Sequence, residues 1–243
     1  MPLPDAPDGE PHRGFFVAFE GGDGAGKSTQ ARLLSEWLRG EGHEVVTTRE
    51  PGGTELGKAI RQLVLHGDYV APRAEALLFA ADRAHHVDTL IKPALDRGAV
   101  VLTDRYLDSS VAYQGVARAL DQGDIRQLSL WATEGLLPDL VVLLDVTADQ
   151  GRQRRGDQHD RLEREADNFH TAVRDGFLEL AAADPDRYLV VSAGESIAEL
   201  QHQVRGAVGQ RMGEQGSRVS LTSWSAKPRS CRRCAEPPRT RPA

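Results

Sequence analysis

The stretch Phe15-Phe16-Val17-Ala18-Phe19-Glu20-Gly21-Gly22-Asp23-Gly24-Ala25-Gly26-Lys27-Ser28-Thr29 decides the fold. Its apolar opening, Phe15 to Phe19, reads as a buried strand, and Gln30 to Arg39 after it carries Ala31, Leu34, Trp37 and Leu38 at helical spacing. Between the two, Gly21 to Ser28 fits the phosphate-binding pattern G-x-x-x-x-G-K-[ST] at every fixed position. Strand, glycine loop and helix in that order set the loop at a helix N-terminus, where unpaired N–H groups and the helix dipole favour an anion. The glycines let N–H groups turn inward around phosphate oxygens, Lys27 adds a point charge near the outer phosphates, and Ser28 offers a hydroxyl to magnesium. The nucleotide-binding set is Gly21, Gly22, Asp23, Gly24, Ala25, Gly26, Lys27, Ser28 and Thr29. A glycine-rich turn without a ligand is a poor account of that context.

Working outward, further apolar stretches recur at Val45-Val46-Thr47-Thr48, Ala99 to Thr103, Leu140 to Leu144 and Tyr188 to Val191, which with the first make five strands. Helical patterns fall between them, over Thr54 to Leu65, Arg73 to Asp96, Ser109 to Leu120, Asp124 to Glu134, Arg161 to Ala183 and Ser196 to Met212. Pro93 should end or kink the second of these. Continuous apolar strands alternating with helices imply an α/β fold, a five-stranded parallel sheet covered on both faces. Ligands of such sheets sit beyond the carboxyl ends of the strands. Glu20 and the glycine loop, Arg49 and Glu50, and Asp104 and Arg105 all fall there.

With 243 residues, 40% of them hydrophobic, the chain can bury one substantial core. We expect a disordered arm over residues 1–13, a single P-loop domain over 14–212, and a basic disordered tail over 213–243. The tail carries seven basic residues against Glu214 and Glu236, so the net charge of -6 combines a basic tail with a strongly acidic body. A basic arm could touch nucleic acid, but a solvated tail is the better account. The only cysteines, Cys231 and Cys234, are half of a tetrahedral metal site and lack the strand and helix that frame redox pairs, so they receive no function. No apolar run reaches the length of a membrane span and no signal segment opens the chain, which predicts a cytoplasmic protein.

Asp104 closes a strand where a carboxylate can hold the shell of a magnesium ion. Guanine specificity would need an Asn-Lys-x-Asp element, and the single asparagine, Asn168, is followed by Phe169, which disfavours a GTPase switch. Lysine is scarce, so the remaining phosphate contacts fall to arginine, whose planar fork suits phosphoryl oxygens.

Several segments taken together resemble the thymidylate kinases: Glu20 to Gln30, Arg49-Glu50-Pro51-Gly52-Gly53-Thr54, Leu77 to Arg83, Asp104-Arg105-Tyr106 through Tyr113-Gln114-Gly115, and Asp160-Arg161-Leu162-Glu163. The resemblance runs from about Gly14 to Val208 in the expected order. It implies a P-loop fold with a short lid over about 150–161, and magnesium-dependent transfer of the ATP γ-phosphoryl group to dTMP in dTTP biosynthesis. It implies that Asp23 accepts the sugar 3'-hydroxyl, that Phe79 stacks on thymine, that Arg83 and Ser110 face the base, and that Gln114 belongs to the same dTMP-binding set. Arg105 and Arg49 would grip the acceptor phosphate, Tyr113 would pack on the deoxyribose, and Ser28 with Asp104 would hold Mg2+. It raises a cis Glu50-Pro51 peptide and a homodimer. The glycine loop carries Gly24-Ala25 where one branch of the family has arginine, so the lid must supply the cation, as in the bacterial branch. Arg154 and Arg155 are the candidates, catalytic together with Lys27 and Arg105, with Arg152 and Arg161 behind them.

Two other readings stay open at this point. One is a kinase for a different nucleoside or nucleotide. The other is a non-catalytic ATP-binding module whose basic tail engages nucleic acid, which predicts salt-sensitive binding lost on truncation at Gly213.

Overall fold

The computed structural model describes residues 14–154 and 160–223. Arg155, the end of the charged lid run through His159, and the Cys231/Cys234 pair lie outside the described residues, as does the arm 1–13. Five strands, β1 (Phe15–Glu20), β2 (Val45–Arg49), β3 (Val100–Asp104), β4 (Leu140–Asp145) and β5 (Tyr188–Ser192), form one parallel sheet in the order β2-β3-β1-β4-β5. β1 is central, and the chain fills one side of it with β2 and β3 before crossing to β4 and β5. The crevice at its carboxyl end is therefore where a ligand belongs. The register places Phe19 and Arg49 on either side of Asp104, so the ends of three adjacent strands stand level beneath the glycine loop.

Alternation along β1 divides the core between two faces. Phe15, Val17 and Phe19 pack with Leu34 and Leu38 of α1 (Lys27–Gly40) and with Leu200, Val204 and Val208 of α9 (Ile197–Ser223). On the other face Phe16 and Ala18 meet Val87, Ile91 and Leu95, from the run α3 (Pro72–His86) to α4 (Lys92–Asp96). Next to them Phe169, Val173 and Phe177 of α8 (Asp167–Ala183) cover Val141 and Leu143.

Between β2 and α3 lies α2 (Glu55–Arg61), whose first turn is capped by the Thr54 hydroxyl on the Gly57 N–H (3.0 Å). It runs on through a π-helical turn, Gln62–His66. After β3 come α5 (Leu107–Ser110) with a π-helical turn over Val111–Ala117, and α6 (Gln122–Thr133). A short helix, α7 (Ala148–Arg154), follows β4.

Three boundaries differ from the sequence reading. Pro93 neither ends the helix nor forces an isolated kink: the chain widens into a π-helical turn over Val87–Ile91, where the Lys92 N–H bonds the Val87 carbonyl, and α4 then takes the proline in its first turn, where no N–H is missed. The helix expected from Arg161 starts at Asp167, because Asp160 Oδ1 accepts from the Leu162 and Glu163 N–H groups (2.9 Å each) and closes a turn instead. The last helix runs to Ser223, so the part of the expected disordered tail between Gly213 and Ser223 is helical; that stretch holds no proline to stop it. No described helix is long and apolar enough to cross a membrane.

Leu34 is fully buried at the centre of the α1 layer. Leu34→Ala is expected to lower the unfolding free energy by about 2–5 kcal/mol, read from urea denaturation followed by circular dichroism; a loss under about 1 kcal/mol would mean that this layer does not carry the core.

Candidate functional site

A cavity of about 700 Å3 opens above the carboxyl ends of β1, β2 and β3. The glycine loop forms its floor from Asp23 to Thr29. Gly21, Gly24 and Gly26 sit at φ 128°, 79° and 96°, which L side chains rarely adopt, and a Cβ on Gly21 would lie 2.4 Å from the Leu144 carbonyl oxygen. Gly21 and Gly22 are below the cavity rather than on its wall, and their carbonyls accept from Lys27 Nζ at 3.0 and 2.9 Å. Lys27 has three N–H donors, so one remains for a ligand. Burial holds its ammonium pKa below the ordinary value, with Arg105 adding to the shift.

Ser28 Oγ donates to Asp104 Oδ2 at 2.6 Å, which joins the first turn of α1 to the end of β3. A hydroxyl and a carboxylate converging on one point are hard oxygen donors of the kind that hold a small divalent cation together with ligand phosphates and water.

Arg105 occupies the centre. Its backbone is left-handed, at φ 71°, which is strained for a non-glycine residue, and its N–H bonds the Phe19 carbonyl (2.9 Å). The guanidinium donates to the Gly21 carbonyl (3.1 Å), to the Ser109 hydroxyl (3.2 Å), to the Tyr113 hydroxyl (3.1 Å) and to the Asp23 carboxylate, and lies 4.9 Å from the centre of the Tyr113 ring. Tyr113 donates in turn to Asp23 (2.9 Å). Burial pushes the Asp23 carboxyl up, but Arg105 and Lys27 beside it together outweigh that and hold it well below the usual carboxylate range.

Arg49 lines the same cavity, and the structure adds a residue the sequence reading missed: Arg61, at the end of α2. The fields of Arg49 and Arg105 both reach Arg61, whose Nη1 donates to the Pro51 carbonyl (3.2 Å). Among the described residues no carboxylate forms an ion pair with Arg49 or Arg61. Three guanidiniums on one wall, two of them in no ion pair among the described residues although the charges of Asp160 and Asp104 also reach Arg61, make an anion pocket. The signal for Arg61 in the sequence was only its place one helix after the Arg49 segment.

At the far end of the cavity stand Phe79, Arg83, Ser110, Tyr113 and Gln114. Arg83 is buried and donates to Glu50 Oε2 (2.8 Å), Ser129 Oγ (3.1 Å), the Tyr106 carbonyl (3.2 Å) and Ser110 Oγ (3.0 Å), which leaves one of its five N–H groups. Glu50, preceding a cis proline peptide, also meets His86 Nδ1 at 2.9 Å. Against this cluster the buried Asp82 carboxyl is raised to about 6, by desolvation first and by Glu50 second.

The lid candidates separate. Arg154 lines the cavity and donates to the Ala193 carbonyl (2.7 Å). Arg152 is turned outward, paired with Asp149 and with Asp167 (2.9 Å). Arg161 is not in the cavity wall; it donates to the Val64 carbonyl (2.8 Å) and to the buried Glu75.

Glu20 lies under the whole site, fully buried, and accepts from the Tyr106 N–H (2.8 Å), the Ser109 N–H (3.2 Å) and the Ser109 hydroxyl (2.5 Å). Burial, and after it the charge of Asp108, raises its carboxyl from 4.5 to about 7. The folded state therefore holds that proton more tightly than the unfolded chain does. The stability this contributes is complete below about 4.5 and is lost as the pH climbs through about 7. Glu20→Gln, which cannot ionise, should flatten the urea-midpoint profile between pH 5 and 8 and gain on the wild type toward pH 8, by up to about 3 kcal/mol. Parallel profiles for the two proteins would assign that pH dependence elsewhere.

Comparison with known proteins agrees with this geometry. The family model described as Thymidylate kinase matches residues 19–204. The thymidylate kinase of Clavibacter michiganensis subsp. michiganensis is 61% identical over 196 residues, covering 79% of this chain and 93% of the relative. That of Leifsonia xyli subsp. xyli is 60% identical over 197 residues, with 79% and 93% covered. The crystal structure of thymidylate kinase from Ehrlichia chaffeensis superposes with a TM-score of 0.68 at 34% identity, over 80% of this chain and 98% of that one.

Proposed function

The chain belongs to the thymidylate kinase family, and on that premise we propose how its residues divide the reaction it carries out, transfer of the ATP γ-phosphoryl group to dTMP to give dTDP and ADP for dTTP synthesis. The observation that carries the assignment is one cavity lined by a phosphate loop, a cluster of guanidiniums and aromatic side chains with polar groups beside them. ATP lies along the glycine loop with its outer phosphates at Lys27. The acceptor phosphate sits between Arg49, Arg61 and Arg105, and the thymine ring on Phe79 with its polar edge toward Arg83, Ser110 and Gln114. Asp23 accepts the 3'-hydroxyl, since it is ionised and already held by two donors at the boundary between the two ends. Tyr113, fixed by the same carboxylate, stands where the sugar passes and leaves little space for a 2'-hydroxyl.

The acceptor phosphate is anionic at neutral pH, so no general base is needed to prepare it. What the protein contributes is alignment of the two phosphates and neutralisation of the charge that spreads over the transferring group. Lys27 and Arg105 supply that charge from the floor and Arg154 from the lid side, where it already lines the cavity. Arg155, outside the described residues, is the second lid candidate. Ser28 and Asp104 are the residues that would hold Mg2+, and the hydroxyl and carboxylate donor set fits it. When bound, that ion offsets negative charge on the β- and γ-phosphoryl oxygens. Closure over the cavity would exclude water and limit ATP hydrolysis.

The remaining parts of the reading are a cytoplasmic location, where both substrates are found, and a homodimer. For the dimer, the support is that Leu77 of α3 and Trp131 of α6, on two helices packed together, are 58% and 71% exposed. Sedimentation equilibrium should give twice the chain mass for the wild type and a monomer for Trp131→Glu; a monomeric wild type would remove the dimer.

The test of the reaction is incubation with magnesium ATP and each nucleoside monophosphate in turn, with ADP and diphosphate measured. Selective conversion of dTMP is expected. Preference for another monophosphate would overturn the base pocket, and no product despite ATP binding would favour the binding module. Lys27→Ala and Arg105→Ala should each lower kcat by about 1000-fold or more in a folded protein, and wild-type turnover in either would refute its role. Phe79→Ala should chiefly raise KM for dTMP, by about tenfold.

A further inference from the structure

Glu75 of α3 is fully buried and is not part of the cavity wall, but it touches Gln114, which is. Its Oε1 accepts from Gln114 Nε2 at 2.8 Å and its Oε2 from Arg161, with Arg118 Nε 3.6 Å away. A carboxylate flanked by guanidiniums accepts hydrogen bonds and donates none. The Gln114 amide must therefore turn its NH2 group to Glu75, because turning it the other way would set two acceptors against each other in a buried site. Gln114 Oε1 makes no hydrogen bond among the described residues and is not among their sealed, unpartnered atoms, and Gln114 is part of the cavity wall. The wall thus shows a ligand a fixed acceptor at Gln114 and one remaining donor on Arg83.

We propose that Glu75 is a positioning residue for base selection: by fixing the orientation of the Gln114 amide it sets an acceptor and a donor in the order that thymine matches and cytosine opposes. The inference rests on the reading that Gln114 and Arg83 face the base. Thymine offers O4 as an acceptor next to N3–H as a donor, which pair with Arg83 and Gln114. Cytosine offers the amino group and an unprotonated N3, which reverses both positions. If Gln114 were free to rotate its amide, its NH2 could meet the cytosine N3 and half of the discrimination would vanish. Arg161 completes the device from the other side, since its ion pair keeps Glu75 an acceptor and seats it. This accounts for Arg161 standing away from the phosphates.

The test is the ratio of the inhibition constant of dCMP to KM for dTMP, with kcat for dTMP, at saturating magnesium ATP. It is measured in the wild type, Glu75→Gln, Gln114→Ala and the exchange Glu75→Gln/Gln114→Glu. In Glu75→Gln the constraint on the amide is gone, and the ratio should fall by about tenfold or more with kcat within about threefold of wild type. The exchange variant sets an acceptor-only carboxylate against the base while the new amide at position 75 donates to it and accepts from Arg161, so the preference for dTMP should return. A merely structural role would weaken both nucleotides alike and leave the ratio within twofold of wild type, which overturns the proposal. A ratio that stays low in the exchange variant overturns it as well. An unchanged ratio in Gln114→Ala would locate the failure in the base-site reading itself, whereas a changed ratio there with none in Glu75→Gln would locate it in the role of Glu75. If Glu75→Gln does not fold, the exchange variant decides alone, since loss of dTMP preference in it refutes the proposal and retention supports it.

Discussion

The arrangement depends most on one guanidinium. Arg105 reaches from the end of β3 to the Gly21 carbonyl, the Asp23 carboxylate and the side chains of Ser109 and Tyr113, and so ties the glycine loop, a strand end and α5 to one rigid group. A side chain can do this only if its backbone turns sharply out of the sheet, which is why the residue sits in the left-handed region at φ 71°. That conformation costs about 1–3 kcal/mol for a residue with a Cβ, and the four hydrogen bonds it permits offset it. The same contacts set the electrostatics of the centre, where Asp23 remains ionised although burial opposes it.

Around that group three buried glutamates hold the walls in place. Glu20 collects the amides that open α5, Glu50 binds Arg83 and His86, and Glu75 binds Gln114 and Arg161. Burying a carboxylate is unfavourable unless its partners are complete, and removing one partner of such a pair typically costs about 3–5 kcal/mol. Each glutamate thus enforces a particular rotamer on a neighbour that faces the cavity. The π-helical turn over Val111–Ala117 adds to this by carrying Tyr113 and Gln114 on adjacent positions to different partners, Asp23 and Glu75. Positioning in this protein is electrostatic as well as steric.

Much of this was legible in the chain. The phosphate loop, the five strands and the two-faced core were, because strand and helix periodicities and a glycine loop are local signals that survive without knowledge of the packing; the eight residues expected at the acceptor came from the resemblance to the thymidylate kinases, and all eight line one cavity. Arg61 and the role of the three glutamates were not legible, since an arginine or glutamate within a helical pattern looks the same whether it faces water or a neighbouring carboxylate. The lid arginines are indistinguishable along the chain for the same reason: Arg152, Arg154 and Arg161 are similar in sequence context, yet one pairs with surface carboxylates, one lines the cavity and one is bound to Glu75.

The sequence by itself determined the sheet and the loop that takes phosphate, because these depend on residue type and spacing along short stretches, and the family to which the chain belongs, because several such stretches recur in a fixed order along it. Only the tertiary structure decided which charged side chains are free for a ligand and which are held by the protein. That distinction turns on partners from elements far apart in the chain: Glu50 meets Arg83, Glu75 meets Arg161, and Asp23 meets Arg105, each pair brought together by the order in which the helices cover the sheet.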